Sequence, residues 1–179
     1  ISDSVSFDIP DSLSNNLNFK IILSLLRENI RKLEKDLGLF VNSGNISIKS
    51  KSYQSILFSV KDVFDERELE KEVIIKLVRI AMQQLQKSEK NLTIIHVIIN
   101  KYVIDDKVYN FFPNNKKFTR IILEIEFICL NKVLIDKVKK LFNECKIDVK
   151  KIVSFDYAKK FLNNIEDDTL CLSAYEILN

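Results

Sequence analysis

Two long runs of β-branched and apolar residues constrain the fold of this chain more than any other feature. Leu92–Ile104 is so rich in isoleucine and valine that it favours a strand over a helix. In Thr119–Leu130, apolar residues alternate with arginine and glutamate, so one face of the strand is predicted to meet a core and the other to be partly wet. The sequence therefore predicts a sheet built around these two strands.

Apolar residues also recur at helical spacing in three other segments. Leu17–Leu37 predicts a first helix, with Gly38 where a C-terminal cap belongs. A second helix is predicted to begin at an acidic cap, Asp65, which has a carboxylate three residues later, and to end near Gln86. A third is predicted to follow Asn131. Helices interspersed with strands indicate an α+β fold, neither a bundle nor a barrel.

Shorter segments complete the predicted order. Asp105–Phe118 is predicted to be a loop of about 14 residues, which is long for a hairpin connection. A strand is predicted in Leu39–Ile48, interrupted by a turn at Asn42–Asn45. The other predicted segments are a strand-like arm and polar loop in Ile1–Asn16, strands at Ser55–Val63 and Ile147–Phe155, a short helix at Asp156–Asn163 and an apolar segment at Thr169–Leu178.

Composition excludes several classes of protein. The chain is 46% hydrophobic and 30% charged, which is typical of globular proteins and not of disordered ones. Two glycines are too few for a glycine-rich phosphate loop, so no nucleotide cradle and no cofactor are expected. Three widely spaced cysteines predict reduced thiols in a cytosolic compartment, without a zinc site or disulfide framework. No apolar run reaches the roughly 18 residues of a membrane span.

No constellation of catalytic residues is visible, and we expect no enzyme activity. The only histidine, His96, lies in an apolar strand and is predicted to be packed and hydrogen-bonded rather than a general base. Asp105 and Asp106 are predicted to form a solvated turn, because neighbouring strand residues point to opposite faces. Glu124 and Glu126 share a face, which we interpret as the solvent face of a sheet.

Two features could contact a partner. Phe111-Phe112-Pro113 lies near the tip of the predicted loop, where partner contact and local packing are equally plausible interpretations. A lysine cluster at Lys132, Lys137, Lys139 and Lys140 could touch nucleic acid, but aromatic residues for stacking are missing beside it. The net charge of +3 is mild, and lysines are interleaved with acidic residues, as on a solvated surface.

Several motifs resemble those of the bacterial actin-like cell division protein family FtsA. The similarity runs through Ile94–Ile98 and Tyr102–Asp106, where the family has an Ile/Leu-His-Val strand leading to an aspartate. Leu123–Glu126 resembles the next strand of the family. Glu144–Val149 and Ile152–Val153 resemble the helix ending and strand that follow.

This resemblance covers roughly Ser55–Leu162 and implies the strand–helix–strand–strand insertion called SHS2 or 1C, flanked by α/β elements of an actin-like core. The implied boundaries are 1–54 for an N-terminal arm, helix and strand of the flanking subdomain, 55–130 for the insertion, and 131–179 for the return. Leu170–Glu176 departs from the family, because its Asp-x-Gly is missing there, so ATP binding is not carried over.

The implied function is a non-catalytic interaction and assembly region that helps to organise the septal ring. Its partners would be FtsZ-ring components or further copies of itself, with the membrane reached only through segments outside this chain. The implied location is therefore the cytoplasm, at the inner face of the membrane. The first residue, Ile1, suggests a fragment or a processed product. Candidate partner-contacting residues are Asp105, Asp106, Phe111, Phe112, Pro113 and Arg120.

Two alternatives remain open. A pilus-assembly protein or another actin-like scaffold could carry the same insertion. The chain could also be a lysine-rich α+β module that binds nucleic acid, for which salt-dependent binding would be expected.

Overall fold

A computed structural model describes residues 16–113, 117–157 and 171–173, and it has an α+β fold. The predicted arm before Asn16, and most of the predicted segments Asp156–Asn163 and Thr169–Leu178, lie outside the described residues. The elements are α1 Asn16–Leu37, β1 Ser43–Ile48, β2 Gln54–Glu68, α2 Lys71–Ser88, β3 Leu92–Ile104, β4 Lys107–Tyr109, β5 Lys117–Asn131, α3 Lys132–Glu144, β6 Asp148–Ser154 and β7 Cys171–Ser173.

The chain divides into two compact units. One comprises Ile1–Ile46 and Val133–Ile152, and the other comprises Ser47–Lys132 and Val153–Asn179, in each case as far as the residues are described. The second unit, which we call the sheet unit, contains α2 and the larger sheet. The first unit, which we call the helical unit, contains α1 and nearly all of α3.

The sheet unit is built around the two strands that the sequence predicts most strongly. β5 is the central strand, antiparallel to β2 on one side and to β3 on the other. β4 and β7 both pair with β3, at residues 102–104 and 96–98 respectively. Because β2 and β3 are each antiparallel to β5, they run parallel to each other, and α2 provides the crossover connection between them.

One face of this sheet is covered by α2. The helix presents a stripe of buried apolar side chains, because its apolar residues recur every three or four positions. Alternate residues of β5 meet that stripe, and Phe127 is 0% exposed. The buried residues of the covered face and helix include Val73, Leu77, Val78, Ala81, Leu85, Val97, Ile99, Ile121, Leu123, Ile125, Phe127 and Cys129.

The predicted start of the second helix is wrong. Residues Asp65–Glu68 continue β2, and α2 begins at Lys71 with an N-cap, Glu70, whose side chain makes no capping hydrogen bond. Tertiary packing explains the difference, since the Phe64 ring meets the Phe118 ring edge-on with centroids 5.3 Å apart. This contact and renewed pairing with β5 outweigh the capping-box signal in the local sequence.

Two further local predictions need correction. The predicted turn at Asn42–Asn45 is wrong in part, because β1 begins at Ser43. The predicted loop Asp105–Phe118 contains a hairpin, in which β4 follows β3 after a two-residue turn. Asp105 and Asp106 have φ angles of 44° and 67°, the left-handed pair that a type I′ turn requires.

The helical unit has a small core of its own. Ile22 and Leu26 of α1 pack with Leu141 of α3, and all three are almost fully buried. Gly38 has a φ of +67°, so it ends α1 in the left-handed conformation that glycine adopts without strain, as predicted. Partly buried residues packed against this core are Phe19, Leu23, Ile30, Leu134, Phe142 and Cys145.

Candidate interaction surface

The sheet face opposite α2 mixes exposed apolar residues with charged ones. We call it the open face. The β2–β5 and β3–β5 registers assign residues to it, because directly paired residues of antiparallel strands point to the same side. Leu57, Val63 and Val108 are 74%, 68% and 60% exposed there. The open face comprises Ser55, Leu57, Ser59, Lys61, Val63, His96, Ile98, Lys101, Val103, Val108, Arg120, Ile122, Glu124, Glu126 and Ile128.

Glu124 and Glu126 lie side by side along β5 on this face, as the sequence predicts. The Lys101 Nζ is 3.0 Å from the Glu124 carboxylate. The Ser55 hydroxyl donates a hydrogen bond of 2.5 Å to Glu126, and the Asn100 amide donates one of 3.5 Å to its other oxygen. Each carboxylate therefore has its own partner on a neighbouring strand, and the pair forms part of a polar network across the sheet.

The β3–β4 turn is held to β5 by its aspartates. The Asp105 carboxylate accepts hydrogen bonds from the Thr119 hydroxyl at 2.9 Å and from the Arg120 backbone N–H at 2.9 Å. These bonds, first that of Thr119, lower the pKa of Asp105. The Arg120 guanidinium contacts the Asp106 carboxylate. Three of the six predicted partner-contacting residues thus lie together, in one cluster at the end of the open face.

The three residues of Phe111-Phe112-Pro113 do not form one exposed surface. The Phe112 ring meets the Tyr102 ring edge-on at 6.0 Å and packs against the core. Pro113 is buried, whereas Phe111 is 59% exposed. Of the two interpretations of this motif, local packing applies to Phe112 and Pro113, and only Phe111 is available to a partner.

His96 has a structural role in the sheet unit. Its side chain is 4% exposed, and its Nε2 accepts a hydrogen bond of 2.8 Å from the Ser154 backbone N–H. The Tyr157 ring lies 4.4 Å from the imidazole, centroid to centroid. Burial lowers the pKa of His96 to about 4, so the imidazole is neutral in the folded protein at neutral pH. The prediction of a packed, hydrogen-bonded histidine is confirmed.

The lysine cluster predicted on the third helix lies along α3. One of its members, Lys140, has its Nζ 5.5 Å from the centre of the Phe19 ring in a cation–π contact. Lys132, Lys139 and Lys140 are exposed, and Lys137 is half-buried. Nucleic-acid binding by this cluster stays a prediction.

Two cysteines, Cys129 and Cys145, carry no disulfide. Cys129 is buried and Cys145 is half-buried, and both thiols are free. Burial raises the pKa of the Cys129 thiol to about 11, so it is a poor nucleophile. Within residues 16–113, 117–157 and 171–173, no group of three or more His, Cys, Asp or Glu side chains is arranged to hold a metal ion. None of the helices there is both long and apolar enough to cross a bilayer.

The exposed apolar residues of β2 were not among the residues predicted to contact a partner. The covered-face residues of β2 include Ile56, Phe58 and Val60, so an alternating strand would have polar side chains at the odd-numbered positions between and beyond them. Leu57 and Val63 occupy two of those positions. That break in alternation was the available signal. Its meaning depends on β2 being an edge strand, which is a long-range property that the local pattern does not contain.

Comparison with known proteins found no family model and no curated protein that matches this chain.

Proposed function

We propose that this chain is a non-catalytic interaction and assembly region of an FtsA-like cell division protein, which works in the cytoplasm and helps to organise the septal ring. The observation that carries the proposal is the open face of the sheet unit. It exposes Leu57, Val63 and Val108, and Val63 is paired with Arg120 of the charged cluster that also contains Asp105 and Asp106. Exposed apolar residues rimmed by charge are typical of protein-binding surfaces.

The order of elements supports the family part of the proposal. β2, α2, β3 and β5 follow one another as strand, helix, strand and strand, with only the three-residue β4 inserted. The last of these strands lies between the other two, and the helix covers one side. That arrangement leaves one face of a small sheet for binding, which is what an SHS2-type insertion would require.

A localisation experiment tests the function. The chain, fused to a fluorescent protein, is expressed in a dividing bacterium that carries a second label on FtsZ. The proposal predicts that the fusion concentrates at the division site together with FtsZ. Even distribution through the cytoplasm of dividing cells, at an expression level where the fusion is intact, would contradict it.

Matched variants test whether the open face is responsible. Val108→Glu places a charge on the open face, and Val133→Glu changes an equally exposed valine, 59% against 60%, on α3. We expect the Val108→Glu fusion to lose at least about half of its signal at the division site, because a buried charge disfavours docking. Val133→Glu should keep its signal. Equal signals for the two variants would assign the binding to another surface.

Calorimetry with ATP separates this role from that of a nucleotide-binding domain. No heat of binding is expected for the purified chain. Micromolar affinity for ATP would overturn the non-catalytic part of the proposal, whatever the localisation.

A further inference from the structure

The outer edge of β2 has no strand partner among the described residues. β2 pairs with β5 along one side, and the register is regular from Gln54 to Val63 before a bulge. This is a long edge, because the regular part alone spans ten residues. Unpaired N–H and C=O groups along such an edge are a template for another strand.

Hydrogen bonding at Arg120 shows which residues of β2 face this edge. The Arg120 N–H and C=O both bond to Asp105, on the β3 side of β5. Arg120 therefore forms a non-hydrogen-bonded pair with Val63. Since the pattern alternates, Leu57, Ser59, Lys61 and Val63 direct their backbone N–H and C=O groups away from β5.

The same odd-numbered residues carry their side chains on the open face. Two of them, Leu57 and Val63, are large exposed apolar residues. They stand at equal distances in sequence from Val60, three residues before it and three after it. An antiparallel copy of β2 centred on Val60 would therefore pair Leu57 of each copy with Val63 of the other.

Other registers of the same pairing are less favourable. A two-fold axis at Lys61 places the two Lys61 ammonium groups directly opposite each other, and an axis at Asp62 places the two Asp62 carboxylates opposite each other. Both like-charge pairs are destabilising. A centre at Ser59 pairs Leu57 with Lys61. Only the Val60 centre joins the two exposed apolar residues, and it opposes Ser59 to Lys61 without a like-charge pair.

We propose that two copies of this chain associate through β2, as an antiparallel pair with a two-fold axis at Val60 that extends the sheet across both copies. The pairing supplies about eight main-chain hydrogen bonds between residues 57 and 63. Two Leu57–Val63 contacts, related by the axis, lie on the open face. One edge group must first be released, because the Val63 N–H donates to the Asp62 carboxylate at 2.9 Å.

Mixing two charged variants tests the register directly. Leu57→Lys keeps a favourable neighbour within its own sheet, Glu126, and Val63→Asp faces Arg120. Each variant alone places two charges opposite apolar residues in a dimer. In a mixture, the heterodimer has one lysine–aspartate pair and one intact Leu57–Val63 pair.

Sedimentation equilibrium of the purified chain measures the association. We expect the wild-type chain to dimerise, each single variant to associate about tenfold more weakly, and the equimolar mixture to recover most of that loss. The recovery should shrink in high salt, since one exposed ion pair is involved. Circular dichroism checks that each variant is folded.

The control mixture replaces Val63→Asp by Val63→Lys, so its heterodimer opposes two lysines where the test mixture has a lysine and an aspartate. It should show no recovery with Leu57→Lys. A wild-type chain that stays monomeric up to about 1 mM would overturn the proposal. Dimerisation that is insensitive to both β2 variants would overturn it as well. The measurement uses purified chain alone, so its result is independent of localisation at the division site.

Discussion

The two faces of the sheet unit are formed by alternate residues of the same strands, but they differ in polarity and in burial. The covered face of β5 is apolar without interruption from Ile121 to Cys129. Ile121, Leu123 and Phe127 are fully buried there. The open face has glutamates, an arginine and isoleucines in turn. The first face is packed against α2 and contributes most to stability, whereas the exposed residues of the second can change at little cost to folding.

The largest expected effect lies on the covered face. Phe127→Ala should lower the free energy of unfolding by about 3–5 kcal/mol, because it leaves a cavity between the sheet and α2. Leu57→Ala is the matched change on the open face, where the side chain is 74% exposed, and should cost less than about 0.5 kcal/mol. Urea unfolding measures both. Similar costs would mean that the two faces are not distinguished as described.

Acid should weaken the sheet unit through His96. Its pKa is about 4 in the folded protein and near the ordinary 6.5 in the unfolded chain. As the pH falls, the unfolded chain therefore binds a proton before the folded protein does. The stabilisation from the neutral imidazole is complete above about pH 6.5 and is lost as the pH falls toward 4. We expect a loss of roughly 3 kcal/mol by pH 4.

His96→Gln provides the comparison for this effect, since glutamine does not titrate. The difference in unfolding free energy between wild type and variant should change with pH between 6.5 and 4 and stay level above 6.5. A difference that is constant across this range would show that the imidazole is not buried in its neutral form.

The smallest effect concerns Tyr102, on the covered face. Its hydroxyl is buried without a hydrogen-bond partner among the described residues, and burial raises its pKa to about 12. Tyr102→Phe should therefore raise the free energy of unfolding by up to about 1 kcal/mol, because it removes an unpaired polar group while keeping the ring that contacts Phe112. A loss of more than about 1 kcal/mol in urea unfolding would indicate that the hydroxyl has a partner.

Local patterns predicted much of this fold. The strands β3 and β5 followed from β-branched content and alternation, and α1 and its glycine end from helical spacing. The start of α2 was not predictable, because residues 65–68 are kept in β2 by long-range contacts: Phe64 packs on Phe118, and residues 67 and 68 pair with β5. The β3–β4 hairpin was hidden for a different reason, since Asp-Asp is a weaker signal for a type I′ turn than Asn-Gly or Asp-Gly.

The candidate surface was predictable only in part. Asp105, Asp106 and Arg120 lie together because the register of β3 and β5 brings the turn beside the start of β5. Phe112 packs edge-on against Tyr102, a contact that the sequence of its own loop does not specify. The exposed residues of β2 were missed because strand order in a sheet is set by contacts between distant segments.

Amide hydrogen exchange along β2 tests the central claim, that this strand has one committed side and one free side. In dilute protein, the N–H groups of Ile56, Phe58 and Val60 should be protected by β5, and those of Leu57, Ser59 and Lys61 should exchange at least about tenfold faster. Raising the protein concentration should slow exchange at the second set alone. Equal protection of both sets in dilute protein, or no change with concentration, would contradict the account.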